Sequence, residues 1–208
     1  MKYQIILFTS IILGLSGCHQ SAATTDTPTP PIQAASLPAE PVSQRNLLED
    51  REALALAKSR LQALPSFAEK PVQVFGNVDF FDGIQPRIEL SVQNPNQPNE
   101  IWFMRYQHGK WSEPIVEDVS DDTPTSQISR HLTPLSEIHF VDVPVIAQHW
   151  RQKAKEVNAV WQEPYYVSFI WLPKLKKRFW HSAQIEAVGA QYYLSVNLDG
   201  NIWEWKKL

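Results

Sequence analysis

Arg87-Ile88-Glu89-Leu90-Ser91-Val92 places an apolar side chain at every second position, the period of a strand that buries one face and shows the other to water. Upstream, Val72, Val74, Val78 and Phe80 alternate with Gln73, Phe75, Asn77 and Asp79, and Asp82-Gly83 supplies a turn. Downstream, Asn94-Pro95-Asn96-Gln97-Pro98-Asn99 reads as loop, Ile101 to Gln107 as a further strand, and His108-Gly109 as a tight turn into Lys110-Trp111. Three or four antiparallel strands are expected here. Ahead of them the period is that of a helix. Leu47, Leu54, Ala57, Leu61 and Leu64 fall on one stripe, with Asn46 as N-cap, Glu49 able to return its hydrogen bond, and Pro65 as the stop. The stripe reads as core packing, with a groove for a partner as the alternative.

The same order comes a second time. Asp142 caps a helix with Pro144 in its first turn, and Ile146, Trp150, Ala154, Val157 and Trp161 mark an apolar stripe that runs up to Pro164. Tyr165 to Leu172, Arg178 to Val188 and Gln191 to Leu198 read as strands, with a basic turn over Pro173-Lys174-Leu175-Lys176-Lys177. Asp199-Gly200 then turns into Asn201-Ile202-Trp203-Glu204-Trp205, where both tryptophans are expected on one strand face. Laid over one another, Pro71 matches Pro164, Ile88-Glu89 matches Ile185-Glu186 and Gly109 matches Gly200, at offsets of 93, 97 and 91. Offsets this close predict a duplicated helix-plus-sheet unit.

The fold class expected is therefore α+β, with a first unit over 45–119, an acidic linker over 120–134 and a second unit over 135–208. The two units would share an interface or join their sheets edge to edge. This order of helix and hairpins over 46–208 resembles the PepSY-type and beta-lactamase-inhibitor-like domains of bacterial envelope proteins. That resemblance implies binding or inhibition rather than turnover, and it transfers no site residue.

At the other end of the chain, Met1 and Lys2 precede an apolar run of eleven residues, Ile5 to Leu15, which Thr9, Ser10 and Gly14 interrupt. A stable bilayer span takes about 20 apolar residues, so the run reads as a targeting segment. Its close, Leu15-Ser16-Gly17-Cys18, resembles the lipobox of bacterial lipoproteins. The resemblance implies a signal peptide over 1–17, cleavage before Cys18, and acyl chains, palmitate among them, on its thiol and amino group. An ordinary secretory peptide is the alternative; it would leave the chain's one cysteine unpaired in an oxidising compartment. Residues 18–44 hold prolines and alanines but no aromatic, too little apolar surface to offset the entropy of ordering, and are expected to form a disordered tether. His19 follows Cys18; in a Gram-negative host the absence of Asp there favours sorting to the periplasmic face of the outer membrane over retention at the inner one.

Charge narrows the partners. The chain has 19 Lys and Arg against 22 Asp and Glu; loss of 1–17 removes only Lys2 and leaves 18 cations against 22 anions, a net charge near −4. A general nucleic-acid binder carries a basic excess, so the partners expected are the membrane, through the acyl chains, and another envelope protein. No cofactor is expected. The chain has no Gly-x-Ser-x-Gly elbow, and none of the six histidines is spaced as in a His-Glu-x-x-His zinc site. Glu89 and Glu186 are open to two readings, a glycosidase carboxylate pair or an outward strand face. The acidic run from Glu117 to Asp122 lacks EF-hand spacing, and a solvated linker is favoured over calcium binding. The clearest local feature is the group Trp171, Lys174, Lys176, Lys177, Arg178 and Trp180, four cations bracketed by aromatics. They form either a site for an anionic envelope ligand, lipopolysaccharide or glycan, or a solvated hairpin tip with its aromatics turned inward. No catalytic residue is assigned. The expected function is a non-catalytic protein-binding or scaffolding module, with ligand recognition by the basic hairpin and an unrecognised hydrolase as alternatives.

Overall fold

The computed structural model describes residues 46–121 and 123–208. The signal segment, Cys18 and the tether lie outside the described residues, as does Asp122 of the acidic run.

The first helix, α1, spans Arg51–Gln62 and buries Leu54, Ala57 and Leu61, as its stripe predicts. It starts later than expected. Asn46 Oδ1 takes the Leu48 N–H at 2.8 Å in a separate turn, and the cap of α1 is Asp50, whose Oδ1 accepts from the Ala53 N–H at 3.0 Å. The helix formers from Arg51 onward follow Asp50 directly, so the helix nucleates there.

The second helix, α2, spans Val143–Glu156 with Pro144 in its first turn, and buries Ile146, Trp150 and Ala154. It stops well short of Pro164. Asn158 takes a left-handed conformation (φ 51°), the Ala159 N–H reaches the Ala154 carbonyl at 2.9 Å and the Asn158 N–H reaches Lys155 at 3.2 Å. That is a Schellman closure with Asn in the glycine position. Trp161, expected on the buried stripe, is therefore outside the helix and exposed.

The strands are β1 (Gln73–Phe81), β2 (Arg87–Gln93), β3 (Ile101–Gln107), β4 (Lys110–Trp111), β5 (Ile115–Glu117), β6 (Leu132–Pro134), β7 (Tyr166–Leu172), β8 (Lys177–Ser182), β9 (Ile185–Ala187), β10 (Ala190–Val196) and β11 (Ile202–Lys207). They form one antiparallel sheet in the order β11-β10-β8-β7-β1-β2-β3-β4, with β5 added to β3, β6 to β1 and β9 to β10. The class is α+β. The seam between the earlier and later strands is the β1–β7 pair, in which Phe80 faces Val167 and Asp79 faces Ser168.

Two expected boundaries change. Residues 120–134 do not all serve as linker: Thr125–His131 is a 3-10 turn that buries Ile128, and β6 pairs Thr133 with Val74. A polar segment is held in the sheet because its backbone completes a ladder, which composition does not show. The strand expected over 178–188 is two, β8 and β9, separated at Ala183 and Gln184.

Alternate residues of the strands, among them Val78, Phe80, Ile88, Leu90, Val167, Phe169, Trp180 and Leu194, face the helices and build one core with Leu54, Ala57, Ile146 and Trp150. Both helices lie against that face. Two indoles tie helix to sheet. Trp111 Nε1 donates to the Ala57 carbonyl of α1 at 2.9 Å, and Trp150 Nε1 of α2 donates to the Ala183 carbonyl at 2.7 Å.

Candidate functional site

Because side chains alternate along a strand, the residues between the core positions point to the face opposite α1 and α2. Register aligns them. Arg105 faces Glu89, Glu89 faces Asp79, Asp79 faces Ser168, Ser168 faces His181, His181 faces Ser195, and Ser195 faces Glu204. A polar ladder thus crosses seven strands, from β3 to β11.

Bulky rows run along both sides of it. On one side Arg87 stacks over Phe81 at 3.9 Å, Phe81 meets Tyr166 at 6.1 Å, and Tyr193 meets the His181 ring at 5.7 Å. On the other side Phe179 meets Trp203 edge-on at 4.8 Å, and Lys177 Nζ sits 3.1 Å from the centroid of that indole. Between these rows the short side chains Ser168 and Ser195 are buried although, among the described residues, neither α1 nor α2 lies over them.

The electrostatics follow from that half-burial. Glu89 is neutralised twice, by Arg87 and by Arg105, each at 2.8 Å. Asp79 has no cation of its own in the ladder and accepts a hydrogen bond from Ser168 Oγ. Burial raises its pKa above the ordinary aspartate value, the Ser168 hydrogen bond opposes this, and the nearby Glu89 charge adds to it. Burial also lowers the pKa of His181 and favours the neutral ring, with a hydrogen bond from the ring to the Leu194 backbone acting the other way.

A pH signature follows. Folding raises the Asp79 pKa, so its contribution is complete below the unfolded value, about 4, and is lost as pH rises through the folded-state pKa. Asp79→Asn should melt higher than the parent protein at pH 8, and the gain should vanish near pH 4. Each 1 kcal/mol would read as roughly 2–4 °C in thermal melts of a body this size. A gain that is the same at both pH values would contradict the burial argument.

The ladder does not assemble a nucleophile relay. Such a relay needs a carboxylate on the imidazole and the imidazole on a hydroxyl. Here Asp79 binds Ser168 directly, His181 Nδ1 lies 3.3 Å from Ser195 Oγ, and Asp79 and His181 are two strand spacings apart, roughly 10 Å. The carboxylate pair considered from the sequence is not brought together either. Glu89 on β2 and Glu186 on β9, which pairs with the same edge of β10 as β8 does, are separated by β1 and β7, and the acid facing Glu89 is Asp79.

The basic hairpin is split by the fold. Trp180 is 1% exposed and packs on Phe80 and Phe169 in the core, so it reaches no ligand. Trp171 donates its Nε1–H to the Arg130 carbonyl at 2.8 Å and is covered by Arg178, whose guanidinium lies 4.6 Å from the ring. Arg178 also pairs with Glu137 and donates to Thr133 Oγ1 at 3.2 Å. Lys177 belongs to the Trp203 stack, and Lys174 and Lys176 are exposed at the tip, where Lys176 turns left-handed (φ 48°).

Trp203 and Trp205 do not share a face. The register of β10 and β11 shifts between Ser195 and Val196, which sends Trp203 to Phe179 and Trp205 to Tyr192, stacked at 4.9 Å and approached by Lys153 of α2. A bulge reverses the alternation that residue spacing alone implies. The ladder itself escapes sequence reading, since only the register of long-range pairs aligns it.

No protein-family model matches this chain, and neither does any curated protein sequence. A solved structure of a candidate lipoprotein from Clostridium difficile 630 matches with a TM-score of 0.43 at 13% identity, over 66% of this chain and 84% of that one. At those values the likeness fixes neither fold nor function.

Proposed function

We propose that the chain is a lipid-anchored envelope protein, held through Cys18 with the periplasmic face of the outer membrane as its place, and that its folded body is a non-catalytic binding module. The ladder with its aromatic borders carries this reading. It offers tryptophan, tyrosine and arginine, the side chains that dominate protein interfaces, on a broad face that, among the described residues, neither α1 nor α2 covers. Glu89 is already paired with Arg87 and Arg105, and Asp79 accepts a hydrogen bond from Ser168, which lowers the cost of covering these two carboxylates.

The body itself reads as a duplicated unit. Arg60 of α1 donates to the Gly109 carbonyl in the β3–β4 turn, and His149 of α2 contacts the Gly200 carbonyl in the β10–β11 turn at 2.9 Å. Both turns have glycine at positive φ, 77° and 84°. The same helix-to-turn contact at offsets of 89 and 91 supports two copies joined at the β1–β7 seam.

Anionic-ligand recognition by the hairpin draws less support, because Trp180 is in the core and Arg178 is already paired with Glu137. Photoreactive side chains at Arg105 and Tyr193, both on the ladder face, should give a discrete adduct in intact envelopes, while one at Lys155 on the exposed side of α2 should not. Equal adduct patterns from the two faces, or none from Arg105 and Tyr193, would rule out this face as the interface.

A further inference from the structure

We propose that one end of the body docks on the bilayer, through apolar side chains of three loops that surround the point where the tether joins. This rests on the anchored reading above and adds an orientation to it. Ile84 is 101% exposed and Val188 96%, and Val160, Trp161 and Tyr165 each exceed 60%. Large apolar side chains shown to this degree and gathered at one place mark an interaction surface.

Their loops are tied together by backbone hydrogen bonds. The Asp82 N–H, two residues before Ile84, donates to the Tyr165 carbonyl at 3.0 Å. The Val160 N–H donates to the Glu186 carbonyl at 2.7 Å, two residues before Val188. The described chain begins at the same place, with the Leu47 N–H donating to Asp82 Oδ1 at 3.3 Å. Chain that enters the body at Asn46 and Leu47 therefore arrives beside these loops.

The contact is carried by apolar surface and not by charge: Arg151 pairs with Glu49 at 2.5 Å and Glu163 at 3.0 Å and Asp82 accepts from Leu47, while Glu186 is exposed and leaves this end net negative. Trp161 and Tyr165 are the side-chain types that settle at the headgroup level. Affinity can be small. The tether expected from the composition of residues 18–44 would span roughly 30 Å and hold the surface at an effective concentration in the millimolar range, so a weak surface is occupied once the anchor is inserted.

The test uses the acylated full-length chain in vesicles of phosphatidylethanolamine and phosphatidylglycerol. Nitroxide labels are placed at Ile84→Cys, Tyr165→Cys and, on the opposite end of β7, Leu175→Cys. Labels at 84 and 165 should show a several-fold higher ratio of oxygen to nickel-chelate accessibility than the label at 175. Three equally aqueous labels on a chain that still floats with the vesicles would overturn docking and leave the anchor standing. Labels that immobilise only in whole envelope fractions would assign the patch to a protein and overturn it too. A chain that does not float with the vesicles at all would remove the anchored reading, and docking with it.

Discussion

Trp150→Ala should cost about 3–5 kcal/mol, a large part of the 5–15 kcal/mol that holds a typical domain together, and should lower the melting temperature by roughly 10 °C. The site explains the size. Trp150 is among the largest fully enclosed side chains, it sits where α2 meets the sheet, and its Nε1–H satisfies the carbonyl of the fully buried Ala183 between β8 and β9. Truncation leaves a cavity the size of an indole and also strands an acceptor away from water. Trp150→Phe separates the two effects. It keeps most of the ring, and should cost about 1–3 kcal/mol, chiefly for the unpaired carbonyl. If the Phe variant melts with the parent protein, the hydrogen bond contributes nothing and the whole loss in the Ala variant belongs to packing. Trp111→Ala, which removes the corresponding tie to Ala57 of α1, should cost less, because β4 is a two-residue strand at the sheet edge and the site can close over the gap.

The contrast between these positions also shows what the sequence makes legible. Ile88, Leu90 and Val92 are readable because a half-buried strand writes its period into neighbouring residues, and all three are buried as the alternation requires. The leucine stripe of α1 is legible for the same local reason. Helix ends are less so: Asn46 and Asp50 are both competent caps, and Asn158 ends α2 through a left-handed backbone that a stripe running on to Trp161 conceals. What lies beyond reading is register between distant strands. Ser168 stands in the run Tyr166-Val167-Ser168-Phe169-Ile170-Trp171, where it looks like an interruption of apolar residues. Only the pairing of β1 with β7, across 89 residues from Asp79, makes it part of a ladder. The basic hairpin was visible as a cluster, but Glu137, which takes Arg178, lies 41 residues away, and nothing local announces it.

On the lipid-anchored reading proposed above, Cys18→Ser should shift the protein almost completely from the membrane to the soluble fraction, the largest effect expected of any single substitution. Serine has no thiol to carry an acyl chain, and each buried methylene is worth about 0.8 kcal/mol, so losing the anchor removes far more membrane affinity than the body's loops can return. Among the described residues no helix is long and apolar enough to cross a membrane. Ile84, Trp161 and Tyr165 remain in the variant, but without an anchor they face the bilayer at bulk concentration, and the millimolar advantage of tethering is gone. The two contributions therefore separate cleanly: Tyr165→Ser should leave fractionation unchanged while Cys18 is intact, whereas Cys18→Ser should release the chain whether or not Tyr165 is present. Retention of the Cys18→Ser form through salt and carbonate washes would place the main membrane contact in the folded body, and the anchor would then be accessory to it.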